Sequence, residues 1–335
     1  MISCMDKRKD IAWITLAKFL GLYLMILGHM SLVSQGLSAF IYTFHMPLFF
    51  ILSGLLTNRA ADKRIVVVKL YHKLIIPYLI IAAIWCFIYI LLWMKNGIYD
   101  FELWLSNIFG TFISPGKPLG CLDTLRGPLW FLLALAEIKF IAIFIEKQIY
   151  WLPLSVIAIL LSLLLGQLNI VLPFAMDSAI LAIPFYASGV FLHQYKHIWD
   201  ISKWKCLVSA IILATLTYTV YRLNGIVDLN HCHWGQNILL FYAGGFVGSM
   251  AVYYISILLT PAILKMNGVI STLVMGAMLI IGFSQNISSI IRAILPFLAG
   301  SNLGGSLIGL LTLAVIYPLI LFAKRYFPSI LGYSK

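Results

Sequence analysis

The feature that most constrains this chain is a succession of long apolar runs. They lie at about 10–31, 38–57, 74–94, 128–146, 150–166, 178–194, 206–222, 237–256, 268–284 and 303–322, and each is close to the roughly 20 residues that an α-helix needs to cross a hydrocarbon core. Lipid offers no hydrogen bonds, so a crossing segment must satisfy its own backbone, and a helix does so. The 335 residues are 62% hydrophobic and 10% charged, with a mean hydropathy of +1.00, which excludes a water-soluble domain. The expected fold class is an all-α polytopic membrane protein of about ten transmembrane helices, forming a single integral-membrane domain over residues 1–335.

Charge sets the expected topology. Lys7, Arg8 and Lys9 precede the first run, and the stretch from Arg59 to Lys73 is the most basic in the chain. With the N-terminus inside, sixteen of the 23 Lys and Arg residues fall in inner segments and five in outer ones, the bias of positive-inside topology. Both termini are then cytoplasmic. No small-residue cleavage site follows the first run, so it reads as a retained span and not as a signal peptide. The net charge of +12 does not point to nucleic acid, because the basic residues sit between apolar runs instead of on one amphipathic face. The outer loop 95–127 is expected to hold a short interfacial helix over 100–113 and then a Gly/Pro-broken SPGKPLG segment. Residues 285–302 are expected to hold a half-helix around Arg292, and the AGGFVGS stretch suits close helix packing.

Two ionisable residues stand inside the first run. Lys18 and His29 are eleven positions apart, and at about 100° and 1.5 Å per residue they leave one face of a helix about 16 Å apart along its axis. An ionisable group within the membrane costs on the order of 2.5–3.5 kcal/mol, so two on one face point to a polar interior or a water-filled cavity. Against this stands the reading in which Lys18 snorkels and His29 is interfacial.

Other candidates are weighed in the same way. His45 precedes Pro47, which kinks the second run and frees a carbonyl; it either orients a substrate hydroxyl or bonds a neighbouring helix. Glu137 in the fourth run needs a partner, of which Lys18 or a His is the obvious kind, and a structural ion pair stands against a substrate contact as its role. At the outer mouth of that run, Trp130 offers an indole face to a sugar ring and Arg126 a guanidinium to anionic groups. The alternative for the pair is an aromatic belt and an ordinary loop charge. His231, Cys232 and His233 follow one another too closely to face one ion, so no metal is expected. Cys121 and Cys232 both fall in outer loops, where an oxidising compartment permits a disulfide. A phosphate-binding Gly loop and a Gly-x-Ser-x-Gly elbow are both absent from the sequence.

Four fragments occur in order. The first run holds Lys18, ten residues and His29; the second holds IYTFHMPLFFILSGLL; KLIIPYL opens the third and GPLWFLLALAEIKF the fourth. Together they resemble the acyltransferase 3 family of membrane O-acyltransferases. In that family the first span carries a basic residue, ten residues and a His, and the second carries a Met-Pro-Leu-Phe-Phe run ending in Ser-Gly, here Met46 to Phe50 and then Ser53 and Gly54. Family members often have Asp and Gly where this chain has Thr15 and Phe19.

The resemblance implies transfer of an acyl group, usually acetyl, from cytoplasmic acyl-CoA to a hydroxyl of an extracytoplasmic cell-envelope glycan or lipid-linked sugar. The enzyme would be a multi-pass protein of the cell (inner) membrane, with acyl-CoA, usually acetyl-CoA, as co-substrate and no metal. Acyl transfer to an alcohol needs a base, and an imidazole of ordinary pKa, roughly 6.5, suits neutral pH. His29 is the expected base, and Lys18 is expected to hold an anionic donor or the charge developing on the thioester carbonyl. His45, Ser53, Arg126, Trp130 and Glu137 are the expected substrate-binding residues. Two readings compete: a transporter of a small solute or glycan precursor that uses Lys18, His29, His45 and Glu137 as its path, and a silent scaffold descended from such enzymes.

Overall fold

A computed structural model describes residues 2–30, 34–57, 62–124, 127–193, 202–263, 266–298 and 300–333, with side chains from Ala12 onward except that of Asn267. The protein is 81% helical, with no strands among the described residues. In chain order the helices are α1 (Ile2–Gly28), α2 (Gln35–Tyr42), α3 (His45–Leu55), α4 (Lys63–Leu70), α5 (Ile76–Lys95), α6 (Phe101–Ile113), α7 (Trp130–Ala142), α8 (Trp151–Gln167), α9 (Met176–Leu192), α10 (Lys203–Asn224), α11 (Ile238–Ile263), α12 (Asn267–Met275), α13 (Ala277–Ile294) and α14 (Asn302–Tyr326). Eight helical stretches among the described residues are long and apolar enough to cross a membrane, and α1 adds a shorter apolar stretch, Ala12–Gly28. The all-α polytopic fold expected from the sequence is the one the chain adopts.

The apolar runs are broken where proline, glycine or a polar side chain makes a break cheap. The second run is two helices, because α2 stops at Tyr42 and α3 restarts at His45. Pro47 lies in the first turn of α3, where its missing N–H leaves no bond unmade. A π-helical turn at Tyr71–Ile75 leads into α5, with Pro77 near its start; such turns and prolines are the usual causes of helix bending. The ninth run breaks at Gly276, where a side chain would collide with that of Ile320. Beyond this break α13 continues to Ile294, so Arg292 sits in its last turn and not in a separate half-helix. Helix α7 has 13 residues, about 20 Å at 1.5 Å per residue, which is shorter than the expected fourth span. The helix expected over 100–113 is α6, whose N-cap Asp100 accepts a hydrogen bond from the Leu103 N–H at 2.9 Å.

The chain forms two compact units. The first comprises Met1–Thr57, Phe185–Asp228 and His233–Leu321, and the second comprises Asn58–Pro184, Leu229–Cys232 and Phe322–Lys335. In the first, α1 packs on α2, α3, α11, α12 and α13. Ala17, Phe44, Leu48, Leu52 and Val252 form a buried cluster there, with Trp13, Leu20 and Leu24 against it. Lipid tails are as apolar as leucine, so helices in a membrane are held by close packing, and small residues make that packing close. Gly54 lies where a side chain would strike the Tyr186 carbonyl, and Gly189 where one would strike the Ile51 carbonyl. The two glycines thus bring α3 and the Phe185–Leu192 part of α9 into backbone contact. On α11 the expected packing face is used in full: Gly244 meets Thr43, Gly245 meets Phe185 and Pro47, and Gly248 meets Phe44. The glycine face of α11 therefore cradles the break between α2 and α3.

In the second unit the SPGKPLG segment folds inward. Lys117 is 4% exposed and its ammonium donates to Asp177 Oδ1 at 2.6 Å, Asn230 O at 2.7 Å and Ser178 Oγ at 3.2 Å. All three of its protons have acceptors. Residues just before Asp177 bear the strain of the turn, with Phe174 and Ala175 at φ 58° and 65°, a region that costs non-glycine residues on the order of 1–3 kcal/mol.

Candidate active site

The break in the second apolar run places two histidines side by side in the first unit. His29 follows the last turn of α1, its backbone N–H still bonded to the Met25 carbonyl at 3.2 Å. Gly28 lies against the Ile41 and Tyr42 side chains, and its carbonyl accepts the Ser38 hydroxyl at 2.6 Å. The absence of a side chain at position 28 thus lets the Tyr42 ring reach His29. Tyr42 Oη is 2.7 Å from His29 Nδ1. The three rings of His29, Tyr42 and His45 form one edge-on cluster, with centroids 5.4 Å apart for His29 and Tyr42, 4.9 Å for Tyr42 and His45, and 6.0 Å for His29 and His45.

His45 opens α3 and is 1% exposed. Its Nδ1 is 3.0 Å from the Ile41 carbonyl, which also accepts the Phe44 N–H at 3.2 Å. Its ring thus caps the end of α2, where a helix leaves carbonyls without partners. The other ring nitrogen, Nε2, is buried and has no hydrogen-bond partner among the described residues, an arrangement that costs free energy unless something else fills it.

A carboxylate acts on the cluster. Asp228 belongs to the same unit and acts electrostatically on His29, Tyr42 and His45. The loop that carries it is clasped by Asn224, the last residue of α10. The Asn224 amide donates to the Trp234 carbonyl at 2.7 Å, and its carbonyl oxygen accepts the Asn237 N–H at 2.7 Å. The backbones of Asp228 and His233 pair in both directions, at 2.7 and 2.9 Å.

The other expected residues are distributed as follows. Lys18 lies partly buried on α1, eleven residues and therefore about 16 Å from His29. Ser53 stands in the last turn of α3, about 12 Å along that helix from His45, and its carbonyl accepts the Thr57 hydroxyl at 3.0 Å. Glu137 and Trp130 belong to the second unit. Glu137 is half-buried; among the described residues it forms no salt bridge with a lysine or histidine, and its charged neighbour is Asp177. Trp130 is 5% exposed, edge-on to Phe131 at 6.3 Å and close to Gly116. Buried beside the SPGKPLG segment, it is not exposed as an aromatic belt would be. Arg126 lies outside the described residues. Cys121 is an exposed free thiol, so the permitted Cys121–Cys232 disulfide is not formed. Among the described residues no group of three His, Cys, Asp or Glu side chains is placed to hold a metal ion.

Sequence reasoning missed Tyr42 and Asp228. Tyr42 was visible as the residue one helical turn before His45. Asp228 gave only a weak signal, as one of 11 acidic residues in a basic chain.

The arrangement suits proton transfer to and from a hydroxyl, with two imidazoles and a phenol in one part-buried cluster and a carboxylate acting on it electrostatically. Comparison with curated proteins gives no match, and comparison with solved structures gives none. The sequence model of one family, described as an acyltransferase domain, matches residues 11–321, a span that includes Lys18, the whole imidazole cluster and every helix from α2 to α13. The match supports the resemblance read from the Lys18-to-His29 spacing and the FHMPLFFILSG run: this chain is a membrane acyltransferase and belongs to the acyltransferase 3 family.

Proposed function

We propose that this acyltransferase moves an acetyl group from cytoplasmic acetyl-CoA to a hydroxyl of an extracytoplasmic cell-envelope glycan or lipid-linked sugar, in the inner (cell) membrane. The observation that carries the reading is the His29–Tyr42–His45 cluster, in which His45 is buried and His29 follows the end of α1, the helix that carries Lys18. An alcohol is a poor nucleophile until its proton is removed in the transition state, and an imidazole performs this at neutral pH. Lys18, about two-fifths of an α1 length away toward the basic N-terminal end, supplies a fixed cation for the phosphates of the donor or for charge on its thioester carbonyl. The acceptor reaches the imidazoles from the opposite end. Only the acyl group then crosses the bilayer. The positive-inside bias supports this orientation, with both termini cytoplasmic. Ser53, Arg126, Trp130 and Glu137 remain assigned to the substrate path, Trp130 through the segment that it packs against.

The test is transfer of label from radiolabelled acetyl-CoA to an extracted pool of envelope glycans and lipid-linked sugars by the purified protein in liposomes. Wild type is expected to form base-labile ester on the glycan, and a His29→Ala/His45→Ala double variant to form none. Lys18→Ala is expected to raise the KM for acetyl-CoA by about tenfold, the loss of one charge-assisted contact. Movement of an unmodified solute with no ester formed would establish the transporter instead.

A further inference from the structure

Two histidines share the site, and hydrogen accounting separates their roles. A carbonyl oxygen only accepts, so the proton between His45 and the Ile41 carbonyl belongs to His45 Nδ1, 3.0 Å away. In the neutral ring the Nε2 lone pair is then open, and this is the nitrogen that is buried without a partner among the described residues. Among the described residues the Tyr42 hydroxyl is bonded to His29 alone, at 2.7 Å. If His29 Nδ1 carried the proton, the phenol hydrogen would have no acceptor among the described residues at this part-buried contact. If the phenol donates, both groups are satisfied, and the neutral His29 ring carries its proton on Nε2. The tautomer of each ring is therefore set by the bond its Nδ1 makes.

On the reading of the site as an acyl-transfer centre, we propose that His45 is the base and His29 the hydrogen-bond donor. The acceptor hydroxyl binds with its hydrogen on His45 Nε2. As its oxygen bonds to the acyl carbon, that proton passes to His45, and the negative charge developing on the carbonyl oxygen is met by the Nε2–H of His29. The carbon–sulfur bond breaks, and the departing thiolate takes the proton from His45 to give free CoA. Hydroxyl and acyl-CoA become ester and CoA, with no proton gained or lost. Tyr42 acts through His29 as a positioning residue. Asp228 offsets the positive charge that the imidazole pair carries while the proton is on His45.

The proposal is tested in the same liposome assay with acetyl-CoA and the envelope-glycan pool, using variants that keep one hydrogen bond and remove another. His45→Asn retains an amide donor for the Ile41 carbonyl and has no basic nitrogen. It is expected to lose kcat by 100-fold or more, with the KM for acetyl-CoA within threefold and melting in detergent unchanged. His29→Gln retains an N–H near the position of Nε2 and is expected to keep a tenth or more of wild-type kcat. Should His45→Asn melt early, His45→Gly assayed with added imidazole replaces it, and restored transfer is expected. His45→Asn with wild-type kcat would overturn the assignment, as would inactive His29→Gln beside active His45→Asn, or imidazole rescue of His29→Gly but not of His45→Gly. Ester formation by wild type in those cases leaves the acyl-transfer reading standing, whereas absence of ester with wild type removes both.

Discussion

Lys117 and Asp177 are 4% and 3% exposed at their side chains and 2.6 Å apart. Such a pair adds little over a hydrophobic replacement, yet removing one member strands the other charge, at a cost of about 3–5 kcal/mol. Lys117→Met is therefore expected to lower stability in a detergent unfolding titration by that amount, and Lys117→Met/Asp177→Leu to recover most of it. A neutral Lys117→Met would show that the pair does not hold the SPGKPLG segment. In the sequence Lys117 is one more loop cation, since nothing local announces that Asp177, sixty positions later, will meet it. Lys18, His29 and His45 were legible for the opposite reason. An ionisable side chain in an apolar run has few innocent explanations, and its spacing to the next one already fixes a helix face. Tyr42 escaped notice because a tyrosine in an aromatic-rich run is ordinary until its hydroxyl is seen to reach a histidine.

The helices themselves were largely readable, because twenty apolar residues in lipid have almost one solution. Their interruptions were not. The second run looks continuous from Ser38 to Thr57, and only the cradle provided by Gly244, Gly245 and Gly248 explains why the chain turns at Thr43 and Phe44. Pro47 marks the neighbourhood of the break but not the residue at which it occurs. The same packing rule yields a sharp expectation for single glycines. Gly189→Val forces a side chain onto the Ile51 carbonyl and is expected to cost about 1–3 kcal/mol, read as a drop in melting temperature. Gly268→Ala, which meets nothing within 4 Å near the start of α12, is expected to leave melting unchanged or raise it slightly. Equal melting of the two variants would contradict the close approach of α3 and α9.

At the scale of the whole molecule, the proposed reaction brings donor and acceptor from opposite sides of the membrane. The distribution of Lys and Arg supports this orientation, and the exposed Cys121 thiol gives a handle on it. In a Cys232→Ser background, a membrane-impermeant maleimide applied outside intact cells is expected to label the protein, and Cys121→Ser to abolish that label. Labelling of Cys121 only after the cells are opened would invert the topology. The most direct test closes the protein into liposomes, selects one orientation, and supplies labelled acetyl-CoA on the side of the basic N-terminus and the envelope-glycan pool on the other side only. Labelled ester on the far glycan, with intact CoA confined to the near side, is the predicted result. Ester formation only when both substrates share one compartment would contradict transfer across the membrane.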